Sequence, residues 1–222
     1  MLFLDRAFPR HVAVWQQVEK HLPAGELAHD ASHIARVYRW ALRLAAEAGA
    51  DADGAGAMAL VHDLAFIPKD SPDRALGGER SALLAGTVLQ AAGYADEEVK
   101  AIAEAVRTSS WSRGLAPTNA LGVVLQDADR LDAIGAVGLM RTFACGQFMS
   151  SPTRPGQFYH PDDPCALSGR VVDDRTYAVD HCYAKLLRLA AGMRLPSAQA
   201  EAKRRHGAME SFLADLRDDL IG

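Results

Sequence analysis

The sequence predicts an all-α fold. Apolar residues recur at helical spacing through most of the chain, alanine fills those segments, and the period-two alternation of half-buried strands is nearly absent. From Ala28 onwards, His33, Val37, Trp40 and Leu44 recur at intervals of four, three and four, which places them on one stripe of a helix ending near Gly49. Further helices are expected over 52–65, 78–92, 96–108 and 118–127. Gly93 reads as a stop, followed by an Asp96 cap with Glu97 and Glu98 in the next first turn. Pro117-Thr118 opens the next segment in the same way, and the flanks of Val123-Val124-Leu125 favour helix over a short buried strand. Helical patterns return over 134–148 and 176–193, and 197–220 reads as a long, charged, partly exposed terminal helix. The breakers collect over 68–78 and over 150–174, where Pro152, Pro155, Pro161 and Pro164 fall. Both stretches are too polar for core and long enough for functional loops.

With 222 residues and no linker, internal repeat or low-complexity tract, one domain over 1–222 is expected. A hydrophobic fraction of 49% and a charged fraction of 23% are those of an ordinary globular protein. The net charge of -4 provides no basic field, so extended nucleic acid is disfavoured as a partner. Cys145, Cys165 and Cys182 are odd in number, widely spaced and outside any CxxC pattern, which fits neither a disulfide framework nor a zinc knuckle. No apolar segment reaches the roughly 20 residues of a membrane span, and the first residues lack a basic start followed by a long apolar stretch. A cytoplasmic protein is expected.

Three clusters carry chemistry. His62-Asp63 lies in the apolar run Ala57 to Ile67, where two adjacent ionisable groups are costly to bury without a partner. A divalent cation would keep Asp63 ionised and take the lone pair of a neutral His62, although a satisfied pair at a helix end accounts for the dipeptide as well. In His29-Asp30-Ala31-Ser32-His33 the two histidines share a face if the helix has already begun, a spacing that suits metal ligands. The bland alternative has Asp30 capping the helix, His29 solvated and His33 as a hydrogen-bonded core histidine. The third cluster, Gln126-Asp127-Ala128-Asp129-Arg130-Leu131-Asp132, brings three acids to the end of an apolar helix, where they want a cation, either Arg130 or a metal. His33, His62, Asp63 and Asp129 together supply two imidazoles and two carboxylates from separate helices, a set suited to a divalent transition metal with positions left for water.

The order His, His-Asp, Asp in an all-helical chain resembles the HD-domain superfamily of metal-dependent phosphohydrolases. The likeness is carried by His33-Ile34-Ala35-Arg36-Val37, by His62-Asp63 after an alanine-rich helix, and most specifically by the block from Asp127 to Gly138. It continues through Ile67-Pro68-Lys69, Asp162-Asp163-Pro164 and Asp180-His181, and is close to a bacterial subgroup of small stand-alone HD hydrolases. The resemblance implies a single HD-type helical bundle with a metal-binding core over about 28–148 and terminal helices over about 174–221 packing on it. It implies that His33, His62, Asp63 and Asp129 hold one divalent ion (Mn, Fe, Co, Ni, Mg or Zn); Asp63, or a neighbouring acid, is then expected to orient the attacking water. The substrate it implies is a small phosphorylated molecule, a nucleotide being the favoured class.

Lys69, Arg74 and Arg80 follow the His-Asp pair in or beside a loop, and such cations can hold phosphate oxygens or stay solvated. His181 and Lys185 share a helical face and, on the resemblance, contact the phosphate; an ion pair of His181 or Lys185 with Asp174 or Asp180 explains them equally well. Many HD hydrolases carry further histidines for a second metal. Here the corresponding stretches read Leu76-Gly77-Gly78-Glu79 and Arg107-Thr108-Ser109-Ser110-Trp111-Ser112, which favours one metal and disfavours the oxygenase chemistry of some relatives. The rival functions are a non-catalytic nucleotide or metal-binding sensor on the same fold, and a metal-free scaffold in which the four residues pair with one another. The long terminal helix is compatible with packing against another subunit.

Overall fold

A computed structural model describes residues 3–67 and 71–221, and Lys69 lies outside them. The chain divides into two compact units, one formed by Met1–Gly25 and His29–Asp129, the other by Glu26–Ala28 and Arg130–Gly222. Among the described residues the regular structure is helical, and the extended pairings are the isolated bridges Ser151–Arg154 and Gln157–Tyr177.

The first unit contains α1 (Arg10–Val18), α2 (Ala31–Ala45), α3 (Ala52–Val61), α4 (Gly77–Ala91), α5 (Asp96–Arg107) and most of α6 (Ala120–Asp132). Its centre is α3. Every residue from Gly54 to Val61 is buried, and the helix packs against α1, α2, α4 and α5, as a helix that is apolar all round must. Periodicity does not reveal α1 because one of its buried positions is a histidine: His11, Val14, Trp15 and Val18 form the inward face. His11 is accommodated by two hydrogen bonds: Nε2 donates to the Asp53 carbonyl at 2.9 Å, and Nδ1 accepts from the Tyr38 hydroxyl at 2.8 Å.

The expected stripe of α2 is correct at His33, Val37 and Leu44 but passes through Ala41 rather than Trp40. The indole of Trp40 lies beside Arg43, whose guanidinium carbon is 5.2 Å from the ring centroid. Asp30 is the cap, its carboxylate accepting from the Ser32 and His33 amides at 2.9 and 3.0 Å.

Three boundaries differ from expectation for local reasons. α3 stops at Val61, because the Ala65 amide donates to the Ser81 hydroxyl at 3.0 Å instead of to a carbonyl one turn back. The cap of α5 is Ala95, whose amide donates to Glu98 at 2.7 Å, so Asp96 is the first helical residue rather than the cap. α6 begins behind Asn119, which accepts from the Gly122 amide at 2.8 Å, and continues to Asp132 instead of ending at Asp127. Asp129 is therefore inside a helix.

In the second unit α7 (Gly135–Met149) packs against α9 (Pro196–Ile221). The long loop after α7 is tied together by Arg170, which reaches both carboxylate oxygens of the fully buried Asp180 at 2.6 and 2.7 Å. Asp180 also accepts from the Asp173 amide at 2.7 Å. The helix expected over 176–193 is shorter. Thr176 and Ala178 use their backbone groups on Gln157, and only then follow a π-helical turn (Cys182–Leu186), a short helix α8 (Leu187–Leu189) and a 3-10 turn (Ala190–Gly192). Cys145, Cys165 and Cys182 are buried, and none of them is in a disulfide. No helix among the described residues is long and apolar enough to cross a membrane.

Candidate metal centre

His33, His62, Asp63 and Asp129 all belong to the first unit, and the structure brings them together. The Asp30 cap fixes the first turn of α2 and with it His33. His62 is the residue at which α3 ends, and Asp63 lies in the turn that Ser81 holds through Ala65. Asp129 arrives from the last half of α6.

The Nε2 atoms of His33 and His62 are 3.2 Å apart. Asp63 Oδ2 lies 3.5 Å from each of them, and Asp129 Oδ1 lies 3.7 Å from His33 and 3.9 Å from His62. Nδ1 of His62 is 2.8 Å from the Ala59 carbonyl, which can only accept, so this nitrogen carries a proton and Nε2 is the ring atom turned to the centre of the group. Both imidazoles are buried, whereas the Asp63 and Asp129 side chains are 40% and 37% exposed. One side of the cluster therefore faces solvent.

These separations fit a cation. Ligand atoms about 2.1 Å from a common divalent ion are about 3.0 to 3.4 Å apart in octahedral or tetrahedral arrangements, close to the observed 3.2 to 3.9 Å. His33, His62 and Asp129 each offer a ligand atom within 4.8 Å of the other two. Desolvation on the inner side of the cluster pushes the Asp63 carboxyl up. The charge of His62, the hydrogen bond with His33 and the charges of His29 and His33 outweigh it and hold Asp63 well below the usual carboxylate range. An ionised carboxylate beside two imidazole nitrogens is a donor set for a divalent cation.

The remaining candidates are placed differently. Arg74, in a 3-10 helix (Pro72–Leu76), donates to the Ile67 carbonyl at 3.0 Å and so braces the loop after Asp63. Arg80 pairs with Asp73 at 2.6 Å. His181 and Lys185 belong to the second unit, where His181 Nδ1 lies 2.9 Å from Asp174 and Lys185 sits on the π-helical turn. Two contributors escape sequence reasoning. One is Ser81, a buried hydroxyl whose only sequence signal is a serine on the inner face of α4. The other is the carbonyl of Ala59, which no residue type can announce.

An all-helical unit carrying two histidines and two aspartates around one point is the core of an HD-type protein. The HD domain family matches residues 30–134. The protein YpgQ of Bacillus subtilis (strain 168) is 32% identical over 198 residues, 87% of this chain and 85% of that protein. Its crystal structure in complex with ADP has a TM-score of 0.69 at 29% identity and covers 96% of this chain and 98% of its own. A Lactobacillus plantarum structure has a TM-score of 0.73 at 27% identity, covering 97% and 98% of the two chains. An HD-superfamily hydrolase from Bacillus thuringiensis has a TM-score of 0.56 at 27% identity, covering 93% and 97%. The chain belongs to the HD-domain superfamily.

Proposed function

We propose that this chain is a metal-dependent phosphohydrolase that cleaves a small phosphorylated substrate, a nucleotide being the favoured class, with one divalent ion held by His33, His62, Asp63 and Asp129. The observation that carries the reading is the combination of two buried imidazole nitrogens 3.2 Å apart with two half-exposed carboxylates on one side of them. A cation needed only for folding would be enclosed, whereas this arrangement leaves positions open to water and substrate. When bound, a divalent ion supplies a water of lowered pKa and polarises a phosphoryl oxygen.

The chain's own residues do the rest. His62, locked by Ala59, presents Nε2 without reorganisation. Asp63 is held ionised, so its solvent-facing carboxylate can orient the attacking water. Lys69 and Arg74 are assigned to the substrate phosphates as cations of the loop after His62-Asp63, and His181 and Lys185 on the sequence resemblance. The ADP bound to the Bacillus subtilis relative supports the nucleotide class, and a cytoplasmic location is part of the same reading.

The test is release of phosphate and pyrophosphate from a nucleotide panel with Mn, Fe, Co, Ni, Mg and Zn in turn, beside the Asp63→Ala variant. Metal-dependent release by the wild type, lost in D63A, is expected. Release that survives D63A, or no uptake of any divalent ion by chelator-treated protein, overturns the proposal.

A further inference from the structure

The second unit contains a cavity of about 370 Å³ between α7 and the loop that follows it. Phe143, Gln147 and Ser150 line one side, Gln157, Phe158 and Tyr159 the other. Its wall is built, not incidental. The backbone at Gln157 and Phe158 is pinned by three hydrogen bonds of 2.8 to 2.9 Å to Thr176, Ala178 and Val179. The Ser150 hydroxyl accepts from the Gly156 amide at 2.9 Å. A Cβ on Gly156 would approach the Gly146 carbonyl to 3.2 Å, so glycine keeps the two sides this close.

Three features define what such a cavity takes. Phe158 is held by its own backbone yet is 63% exposed, and its ring stands edge-on to Phe143 with centroids 5.8 Å apart, which leaves aromatic surface for a flat ring to cover. Among the described residues no charged side chain lines the cavity, so none of them neutralises a phosphate or a carboxylate there. The exposed side-chain amides of Gln147 and Gln157 make no hydrogen bond to another described residue, and each offers both a donor and an acceptor. Aromatic surface, free amides and absence of charge, in a volume within the range of small-molecule sites, match an uncharged heterocycle with hydrogen-bonding edges.

We propose that the second unit binds an uncharged heterocycle of the nucleobase class in this cavity, stacked on Phe158 and hydrogen-bonded by Gln147 and Gln157. Binding there needs neither a metal ion nor turnover.

The test titrates the whole chain with adenosine in the presence of chelator, by calorimetry and saturation-transfer NMR, in wild type, Phe158→Ala, Gln157→Ala and His33→Ala. Wild type and H33A are expected to bind adenosine alike, F158A to bind about tenfold more weakly for loss of one stacking surface, and Q157A to be weakened as well. Ribose 5-phosphate, which lacks the ring, is expected not to compete. No binding of adenosine by wild type overturns the proposal, as does undiminished binding in both F158A and Q157A. Loss of binding in H33A overturns it too, since the ring would then sit at the metal centre. A wild-type dimer that F158A turns into a monomer likewise overturns it, because Phe158 would be covered by a second copy. Because H33A removes a metal ligand while leaving the cavity intact, failure here and failure of the hydrolase reading are read separately.

Discussion

His33 and His62 meet Nε2 to Nε2 at 3.2 Å, even though Nδ1 of His62 is already committed to the Ala59 carbonyl at 2.8 Å. Two imidazole nitrogens at that separation, with carboxylate oxygens of Asp63 and Asp129 within 3.9 Å, are satisfied by a cation between them or by a proton carried on one of the rings. If a divalent ion is the occupant, it binds the folded chain and not the unfolded one. Chelator-treated protein should then melt at a higher temperature when Mn, Co or Zn is added, with a stabilisation of about 2.7 kcal/mol at a hundred times the dissociation constant. His62→Ala and Asp129→Asn are expected to abolish that rise. A melting temperature indifferent to every divalent ion would leave the proton as the occupant.

How far this centre is legible in the sequence differs from residue to residue. His33 and His62-Asp63 stand out because an ionisable group on an apolar stripe is energetically anomalous, and the anomaly is visible in one dimension. Asp129 is harder. Its place depends on α6 continuing past Asp127, and the sequence pattern ends there because Asp127, Asp129 and Asp132 resemble a solvated helix end, although Asp127 and Asp132 are fully buried. The same blindness hides α1, where His11 occupies a core position as a hydrogen-bonded polar group. The loop after α7 yields its existence but not its content. Proline and glycine announce irregular backbone, whereas the pairing of Arg170 with Asp180 is a tertiary fact between residues ten apart.

Ser81 positions the turn that carries Asp63. Its buried hydroxyl is the acceptor for the Ala65 amide at 3.0 Å. Ser81→Ala removes that acceptor in a place water does not readily reach, a loss of about 1 to 3 kcal/mol. Because the turn also fixes a metal ligand, affinity for the ion is expected to fall by about tenfold or more. Ser81→Thr, which keeps the hydroxyl, should restore affinity further than stability. Metal titration and urea unfolding of the two variants check both effects, and unchanged affinity in S81A would show that the turn holds without it.

Gly56 of α3 faces His11 of α1 and Tyr38 of α2. A Cβ there would come to 2.3 Å from the His11 ring and 2.9 Å from the Tyr38 ring. Neither ring can yield easily, since they hydrogen-bond one another at 2.8 Å and His11 also holds the Asp53 carbonyl. Gly56→Ala gains about 1 kcal/mol of helix propensity, against about 1 to 3 kcal/mol for overpacking. The second effect should win. A lower urea midpoint is expected for G56A, and a higher one would mean that α1 can move away from α3.

Glu201 anchors the first turns of α9 to two arginines. Its carboxylate is 2.7 Å from Arg204 and 2.7 Å from Arg205, and Arg205 in turn donates to the Leu131 carbonyl at 2.6 Å. The hydrogen bond from Arg204 is the largest influence on its titration; burial opposes it, Arg205 adds to it, and the net effect brings the carboxyl down to about 2 from an ordinary 4.5. A depressed carboxylate stabilises the fold above the unfolded value and loses that contribution as the pH falls through the folded one. Since Arg204 is 69% exposed, solvent screening reduces the contribution to about 1 kcal/mol. Glu201→Gln should therefore lower the thermal midpoint at neutral pH by the equivalent of about 1 kcal/mol. The difference from wild type should persist down to about pH 4.5 and shrink steadily towards pH 2. A difference independent of pH over that range would assign the effect to packing of the side chain rather than to its charge.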